Sequence, residues 1–493
     1  MKPRSQPVIE WIGTTPHEWS QPRLKAVFRD NTGTISMQQL AALEVQHYSI
    51  PNFDEFGAPA REDGATIASN KTLLRGGEIL FSKLNCHKPR VWLVPQDDQV
   101  KVASTEFIPL AEWHSGSVDK AFITYLIGSA VFAEYMTCFQ TSVTNSHRRI
   151  NPNDLWQTRV PLPPLPEQQR ITAYLDANCA AIDAAVAAKR RQLETLDALA
   201  LSVIHQAVTR GINAAVKLRW SGMDWLPEVP EHWQVQQIKR ACEIVRGKFT
   251  HRPRNDPAFY GGEYPFVQTG DITAVRKYIR TYSQTLNDLG LSVSKMFPRG
   301  TLVMSIAANI GDVAILDFEA CFPDSMVGLI PGHKTDLDFL YYMMRAMKGI
   351  MLRSAVISTQ LNLNNVRIGT NFAAFPPIKE QKTIGEYLDA KEQEALAVKE
   401  TLDQQIAMLS AYRKSLIHEC VTGQRLITEA DVLRSQLSAK TRLLNREPYG
   451  KNVRLKMAGG DDRTCSANFG KAIKGGGQVD PLLALKSATR RGN

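Results

Sequence analysis

Seven cysteines in 493 residues are odd in number and form no C-x-x-C pair, so neither a disulfide framework nor a zinc site is indicated. No uncharged apolar run approaches the roughly 18 residues of a membrane span, and the opening MKPRSQPVIEW lacks the apolar core of a signal peptide. A cytoplasmic protein without a membrane anchor is expected. There is no G-x-x-x-x-G-K-[ST] phosphate loop, which argues against ATP hydrolysis by this chain. Asn151-Pro152-Asn153-Asp154 and Asp256-Pro257-Ala258-Phe259 both lack the second proline of the Asp/Asn-Pro-Pro-aromatic signature of amino-group methylation, and the first lacks the aromatic that would stack on a flipped base. No glycine-rich cofactor loop accompanies either. His205 and His418 have no clustered acidic or cysteine partners, so no metal is expected. The residues supply no catalytic site.

The apolar fraction of 43% and charged fraction of 22% are ordinary for a globular protein, and the length implies more than one core. A net charge of +10 suggests nucleic acid, but it is unevenly placed. The last 71 residues hold 14 basic and six acidic side chains, so the excess belongs mainly to the tail.

What the chain has in plenty is repetition. PLPEQQRITAYLDA at 164–177 returns as PIKEQKTIGEYLDA at 377–390, displaced by 213 positions. Ser202-Val203-Ile204-His205 returns as Ser415-Leu416-Ile417-His418, and Val208-Thr209 as Val421-Thr422. Trp11, Pro16 and Trp19 match Trp225, Pro230 and Trp233 at an offset of 214. The interiors, 50–150 and 264–365, share little beyond Arg75-Gly76 against Arg299-Gly300. The period far exceeds that of a solenoid. Matched frames around dissimilar interiors point to one scaffold holding two different readers.

Each repeated segment begins at prolines (Pro164 and Pro166; Pro376 and Pro377), with Glu167-Gln168 or Glu380-Gln381 next, a helix-start pattern. Ile182, Val186, Leu193, Leu196 and Val203 then fall at a/d spacing. In the second copy the same register holds Leu402, Ile406, Leu409 and Leu416, with Lys399 also in line. The spacing predicts two long helices that pack on each other about a pseudo-twofold axis; the plainer alternative packs each seam on its own globular half. A helix of ~40 residues spans ~60 Å, so the pair would act as a spacer. Charged seam positions (Lys189, Lys399 and Arg413) are expected at its edge.

Short β-rich runs with turn punctuation, followed by helices near 118–137 and 335–353, make each interior an α+β domain. The predicted boundaries are 1–160 and 214–376 for the two domains, 161–213 and 377–424 for the spacers, and 425–493 for a basic tail, helical over 429–444 and then disordered. Polar and basic residues gather in likely loops as candidate DNA contacts. The first half has Lys83, Asn85, His87, Lys88 and Arg90, then Asn145, Arg148 and Arg149. The second has Arg246, Lys248, Arg252 and Arg254, then Arg276 and Lys277, and finally Thr359 and Gln360. Arg and Lys can neutralise phosphate or read guanine, and Asn and Gln can pair with adenine edges.

The P-L-P-x-x-E-Q-like junction at Pro164-Leu165-Pro166-Glu167-Gln168, the Y-L-D helix start and the closing I-H-x-x-V-T, each used twice, resemble the specificity subunit of type I restriction–modification systems. Phe297-Pro298-Arg299-Gly300 followed by Ala308-Asn309-Ile310-Gly311 also fits. The resemblance covers about residues 10–424 and implies two target recognition domains, each reading half of an asymmetric bipartite site in double-stranded DNA. It implies that the helices form an antiparallel coiled coil that fixes the gap, and that the subunit itself is non-catalytic. Two modification subunits would carry S-adenosylmethionine and methylate adenine, and two restriction subunits would use ATP and Mg. The spacer helices and their ends would be the docking surface. A stand-alone regulator, binding tightly without partners, and a fused methyltransferase, transferring methyl groups alone, are the alternatives. The chain departs from the family in continuing well past Val421-Thr422-Gly423-Gln424.

Overall fold

A computed structural model of the chain describes residues 8–444 apart from 31–32, 115, 142–147, 224, 308, 355 and 358–360. Residues 1–439 form one compact unit; of the second, 440–493, the described part is the end of one helix.

Two β-sheets recur in each half. The first half contains β1 (Phe28–Asp30), β2 (Thr34–Ile35), β3 (Glu44–Tyr48), β4 (Ala60–Asp63), β5 (Lys71–Leu74), β6 (Ile79–Ser82), β7 (Val91–Leu93), β8 (Lys101–Ala103) and β9 (Phe107–Glu112). They pair in the orders β1-β9-β6-β7 and β2-β5-β8-β3-β4. The second half contains β10 (Cys242–Arg246), β11 (Tyr260–Phe266), β12 (Tyr278–Ile279), β13 (Gln284–Leu286), β14 (Met296–Phe297), β15 (Leu302–Ser305), β16 (Val313–Leu316), β17 (Ala320–Cys321) and β18 (Met326–Pro331). Their orders are β10-β18-β15-β16-β12 and β14-β17-β11-β13. Strand for strand, β1-β9-β6-β7 matches β10-β18-β15-β16, and β5-β8-β3-β4 matches β14-β17-β11-β13. Even the parallel pair inside the second sheet recurs, β8 with β3 and β17 with β11. Interiors that share little sequence therefore share one topology. The common demand is for continuous apolar central strands: β6 and β15 are buried at every position, as a strand covered on both faces requires.

Each predicted domain helix is broken in two. Helix α1 (Lys120–Ile127) stops at Gly128, and Ser129 accepts a hydrogen bond from the Phe132 amide to start Ala130–Thr137. The spacer helices α2 (Leu165–Arg210) and α4 (Ile378–Val421) run antiparallel along each other, and α3 (Leu337–Ala346) is the second-half counterpart of α1. Arg413 pairs with Asp183 at 2.9 Å, Lys189 reaches Gln405 at 2.5 Å and Lys399 pairs with Asp197. Those registers place the pseudo-twofold axis near Arg191 and Gln404. None of the described helices is long and apolar enough to cross a membrane.

The two seam alternatives merge. Ile182, Leu196, Leu402 and Leu416 are buried, and Val186, Leu193, Val203, Ile406 and Leu409 are half-buried. Toward the ends the same helices complete both domain cores. Ile171, Leu175 and Ile182 of α2 join Leu416, Ile417, Cys420 and Val421 of α4 in the first core. Ile204, Ala207 and Val208 of α2 join Ile384 and Leu388 of α4 in the second. Helix α5 (Glu429–Leu444) follows the predicted limits, with Val432 against the first core and Ser435 accepting from Asn178 at 3.0 Å. The expectation for 445–493 lies outside the described residues.

Candidate nucleic-acid interface

The residues that repeat in sequence form the joint between domain and spacer. Glu167 accepts from the Trp19 indole at 3.2 Å, and Glu380 from that of Trp233 at 3.1 Å. Gln168 donates to the Pro163 carbonyl and accepts from the Asp119 amide, both at 2.8 Å. Gln381 repeats this with the Pro376 carbonyl and the Asp336 amide at 2.8 Å, adding a bond to the Lys334 carbonyl at 3.0 Å. The tyrosines of the domain helices close the joint: Tyr125 donates to Asp176 at 2.8 Å, and Tyr342 to Asp389 at 2.6 Å. Each spacer helix also ends against the start of the other. Gly211 and Gly423 have left-handed φ of 77° and 78°. A Cβ on Gly423 would come within 2.5 Å of the Pro16 ring, so glycine is required there. The repeated residues at the helix ends thus hold each domain to its spacer.

The candidate DNA residues divide by the strand end they occupy. At one end of the first sheet the loop 83–90 joins β6 to β7. The Asn85 amide donates to the Arg148 carbonyl at 2.7 Å, and the Asn85 side chain accepts from the Arg148 amide at 3.3 Å. Asn85 adopts φ of 53°, a conformation asparagine tolerates better than most residues. Two clusters about 60 positions apart are thus brought together. Arg149 forms a two-point ion pair with Glu106 at 3.0 and 2.9 Å, while His87 and Lys88 are exposed and Lys83 is half-buried.

The equivalent end of the second sheet collects a different set. Arg246 donates to the Asp324 carbonyl at 2.8 Å, Arg252 reaches the Asp324 carboxylate at 3.3 Å, and Arg254 pairs with the same group. Lys248 is exposed beside them. The Leu363 amide donates to the Ile306 carbonyl at 3.2 Å, as the Ile150 amide does to that of Lys83 at 3.1 Å, so the segment before each closing helix meets the same loop in both halves. Asn145, Thr359 and Gln360 lie in those segments but outside the described residues. Three arginines around Asp324 give the second end a local positive excess, and at the first end exposed His87 and Lys88 lie in the loop beside the paired Arg149 and Glu106. Such a surface can neutralise phosphates and present guanidinium groups to base edges.

Two candidates are corrected. Arg90 is 5% exposed and grips Asp54 through two bonds at 2.6 and 2.7 Å, holding that carboxyl below its ordinary pKa; it ties the loop to the domain rather than facing DNA. Lys277 is 9% exposed and bridges Asp338, at 2.8 Å, and Asp389 of α4 among three tyrosine rings. Burial, followed by Asp338, pushes the Tyr278 phenol up to about 12, and burial and Asp389 push that of Tyr342 higher still, so both stay hydrogen-bond donors. Lys277 belongs to the joint. Arg276 is exposed beside it, and Arg280 pairs with Asp317 at 3.2 Å at the opposite strand end from Arg246. Replacing Lys277 by Met should lower stability by about 2 kcal/mol, discounted for the partly exposed aspartates, as read from the urea midpoint; no shift would mean the bridge contributes nothing net.

Glu106, Asp324 and Asp54 were missed by a search for basic residues. Glu106 and Asp324 sit on equivalent turns, β8 to β9 and β17 to β18, a relation visible only once the strands are aligned.

Residues 230–408 match the family model of the type I restriction modification DNA specificity domain. A putative type I restriction enzyme MjaX specificity subunit from Methanocaldococcus jannaschii is 22% identical over 433 residues, covering 84% of this chain and 95% of that protein. The type I restriction enzyme MjaIX specificity subunit of the same organism is 24% identical over 136 residues, 26% of this chain and 31% of that protein. A chain from a solved structure concerned with complex assembly and conformational transition of the type I R-M system has the same fold, with a TM-score of 0.67 and 19% identity; the likeness covers 84% of this chain and 100% of that one.

Proposed function

We propose that the chain is a specificity subunit of a type I restriction–modification system and that its two domains each read one half of a bipartite DNA site. The observation that carries the reading is one topology presented twice, with different side chains at the same strand end, on opposite ends of an antiparallel helix pair. A twofold axis carries one such end onto the other, so both can meet one duplex, as two-fold DNA-binding proteins meet paired half-sites. Because the readers differ, the halves of the site differ. Because the spacer is rigid helix, the gap between them is fixed. Exposed faces of α2 and α4 left over from the joints would receive the modification subunits, which supply S-adenosylmethionine and methylate adenine. Restriction subunits, with ATP and Mg, would cut unmodified DNA.

Co-expression with the modification subunit, followed by mapping of methylated adenines across the host genome, tests this. A two-part motif with one fixed unspecified gap is expected; scattered methylation or a single continuous motif would overturn it. Removing residues 445–493, which carry 10 basic and four acidic side chains, should leave that motif intact and weaken only salt-sensitive, non-specific binding. Loss of sequence choice on that truncation would assign the tail a reading role.

A further inference from the structure

A carboxylate inside a DNA-binding surface is electrostatically unfavourable, because it repels the phosphates its neighbours attract. Both halves nevertheless place one there, on equivalent turns, and in both it holds arginine. Glu106 accepts from Nε and Nη2 along one edge of the Arg149 guanidinium, at 3.0 and 2.9 Å. Asp324 takes Arg252 and Arg254 through its carboxylate and Arg246 through its carbonyl. The arginines reach these turns from different places in the chain: Arg149 follows the domain helices, whereas Arg252 and Arg254 lie in the loop after β10. Only the acceptor position is common. Arg252 is further fixed by donating to the carbonyls of Phe249 at 2.6 Å and His251 at 2.8 Å.

We infer that Glu106 and Asp324 are positioning residues for specificity, each holding the arginines of its own domain in a preset geometry for one half-site. Without the carboxylate, adjacent guanidinium groups repel and regain their rotamer freedom. They still attract phosphate, but no longer present a fixed fork to a base edge. Removing it should therefore trade sequence choice for general DNA affinity. The inference rests on the two-reader function proposed above.

The test uses the full chain assembled with its modification subunits, carrying Asp324→Asn or, separately, Glu106→Gln, each nearly isosteric. Methylated motifs are mapped, and binding to specific and random duplexes is measured across a salt series. Asp324→Asn should lower the ratio of specific to random binding about tenfold, the worth of one charge-assisted hydrogen bond. It should also relax base choice in the second domain's half-site only, and make random binding steeper in salt. Glu106→Gln should relax the other half-site alone. A merely structural role would lower all binding together and leave the methylated motif as strict as before. That result, or relaxation of both half-sites by one variant, overturns the inference. A wild-type complex that yields no bipartite motif would instead overturn the function on which it rests.

Discussion

Replacing residues 20–158 by the chain's own 234–371 should convert an asymmetric motif into an inverted repeat. The graft joins equivalent positions, since the backbone bridges Ser20–Leu162 and Arg23–Arg159 correspond to Gln234–Phe375 and Gln237–Phe372. Gln168 would find the Asp336 amide where it now finds that of Asp119, and Asp176 would receive Tyr342 and Lys277 as Asp389 does. Two local conflicts can be anticipated. A Cβ added at Gly385 would lie 3.1 Å from that of Asp338, and Thr172 stands at the equivalent position, so Thr172→Gly is needed. Arg345 leans on Glu392, where the first helix has Cys179, so Cys179→Glu should accompany it. Two identical readers related by a twofold axis recognise inverted copies of one sequence. Mapped methylation should therefore show the second half-site on both sides of an unchanged gap. Persistence of the original asymmetric motif would refute the assignment of reading to the interiors.

The second large effect is on stability. Gln381 is 1% exposed and satisfies the carbonyls of Pro376 and Lys334 and the amide of Asp336. Gln381→Leu leaves three backbone groups at the joint, one of them buried, without that partner and should cost about 3 kcal/mol, and Gln168→Leu, with one bond fewer, about 2 kcal/mol. Urea unfolding measures both. A loss below about 1 kcal/mol for Gln381→Leu would mean that water replaces the side chain at the joint.

The repeat, the helix starts and the α+β character of the interiors were legible because they rest on local signals: proline, early acid, a 3.5-residue period and short apolar runs between turns. The common topology was not legible. A buried strand asks mainly for apolar side chains, so β6 (Ile79-Leu80-Phe81-Ser82) and β15 (Leu302-Val303-Met304-Ser305) serve the same place with different residues, and only the Arg-Gly pair before each marks the equivalence. The candidate site was half legible. Counting cations found Arg149, Arg252 and Arg254 but equally found Arg90 and Lys277, whose partners Asp54 and Asp389 lie 36 and 112 positions away. Charge type is written locally, whereas what a charge is paired with is a property of the fold.

The sharing of cores by the spacer helices bears on the order in which the chain takes shape during synthesis. The second core draws on Ile204 through Leu388, a continuous stretch that is complete before Leu416 is made. The first core needs Leu416, Ile417, Cys420, Val421 and Ile427. The domain that leaves the ribosome first must therefore wait, with Phe122, Leu126 and Ile171 short of their last neighbours, until Leu416 through Ile427 have emerged. Chains truncated after residue 400 should carry a protease-resistant second domain and a protease-sensitive first. In this molecule the amino-terminal domain is the last to close.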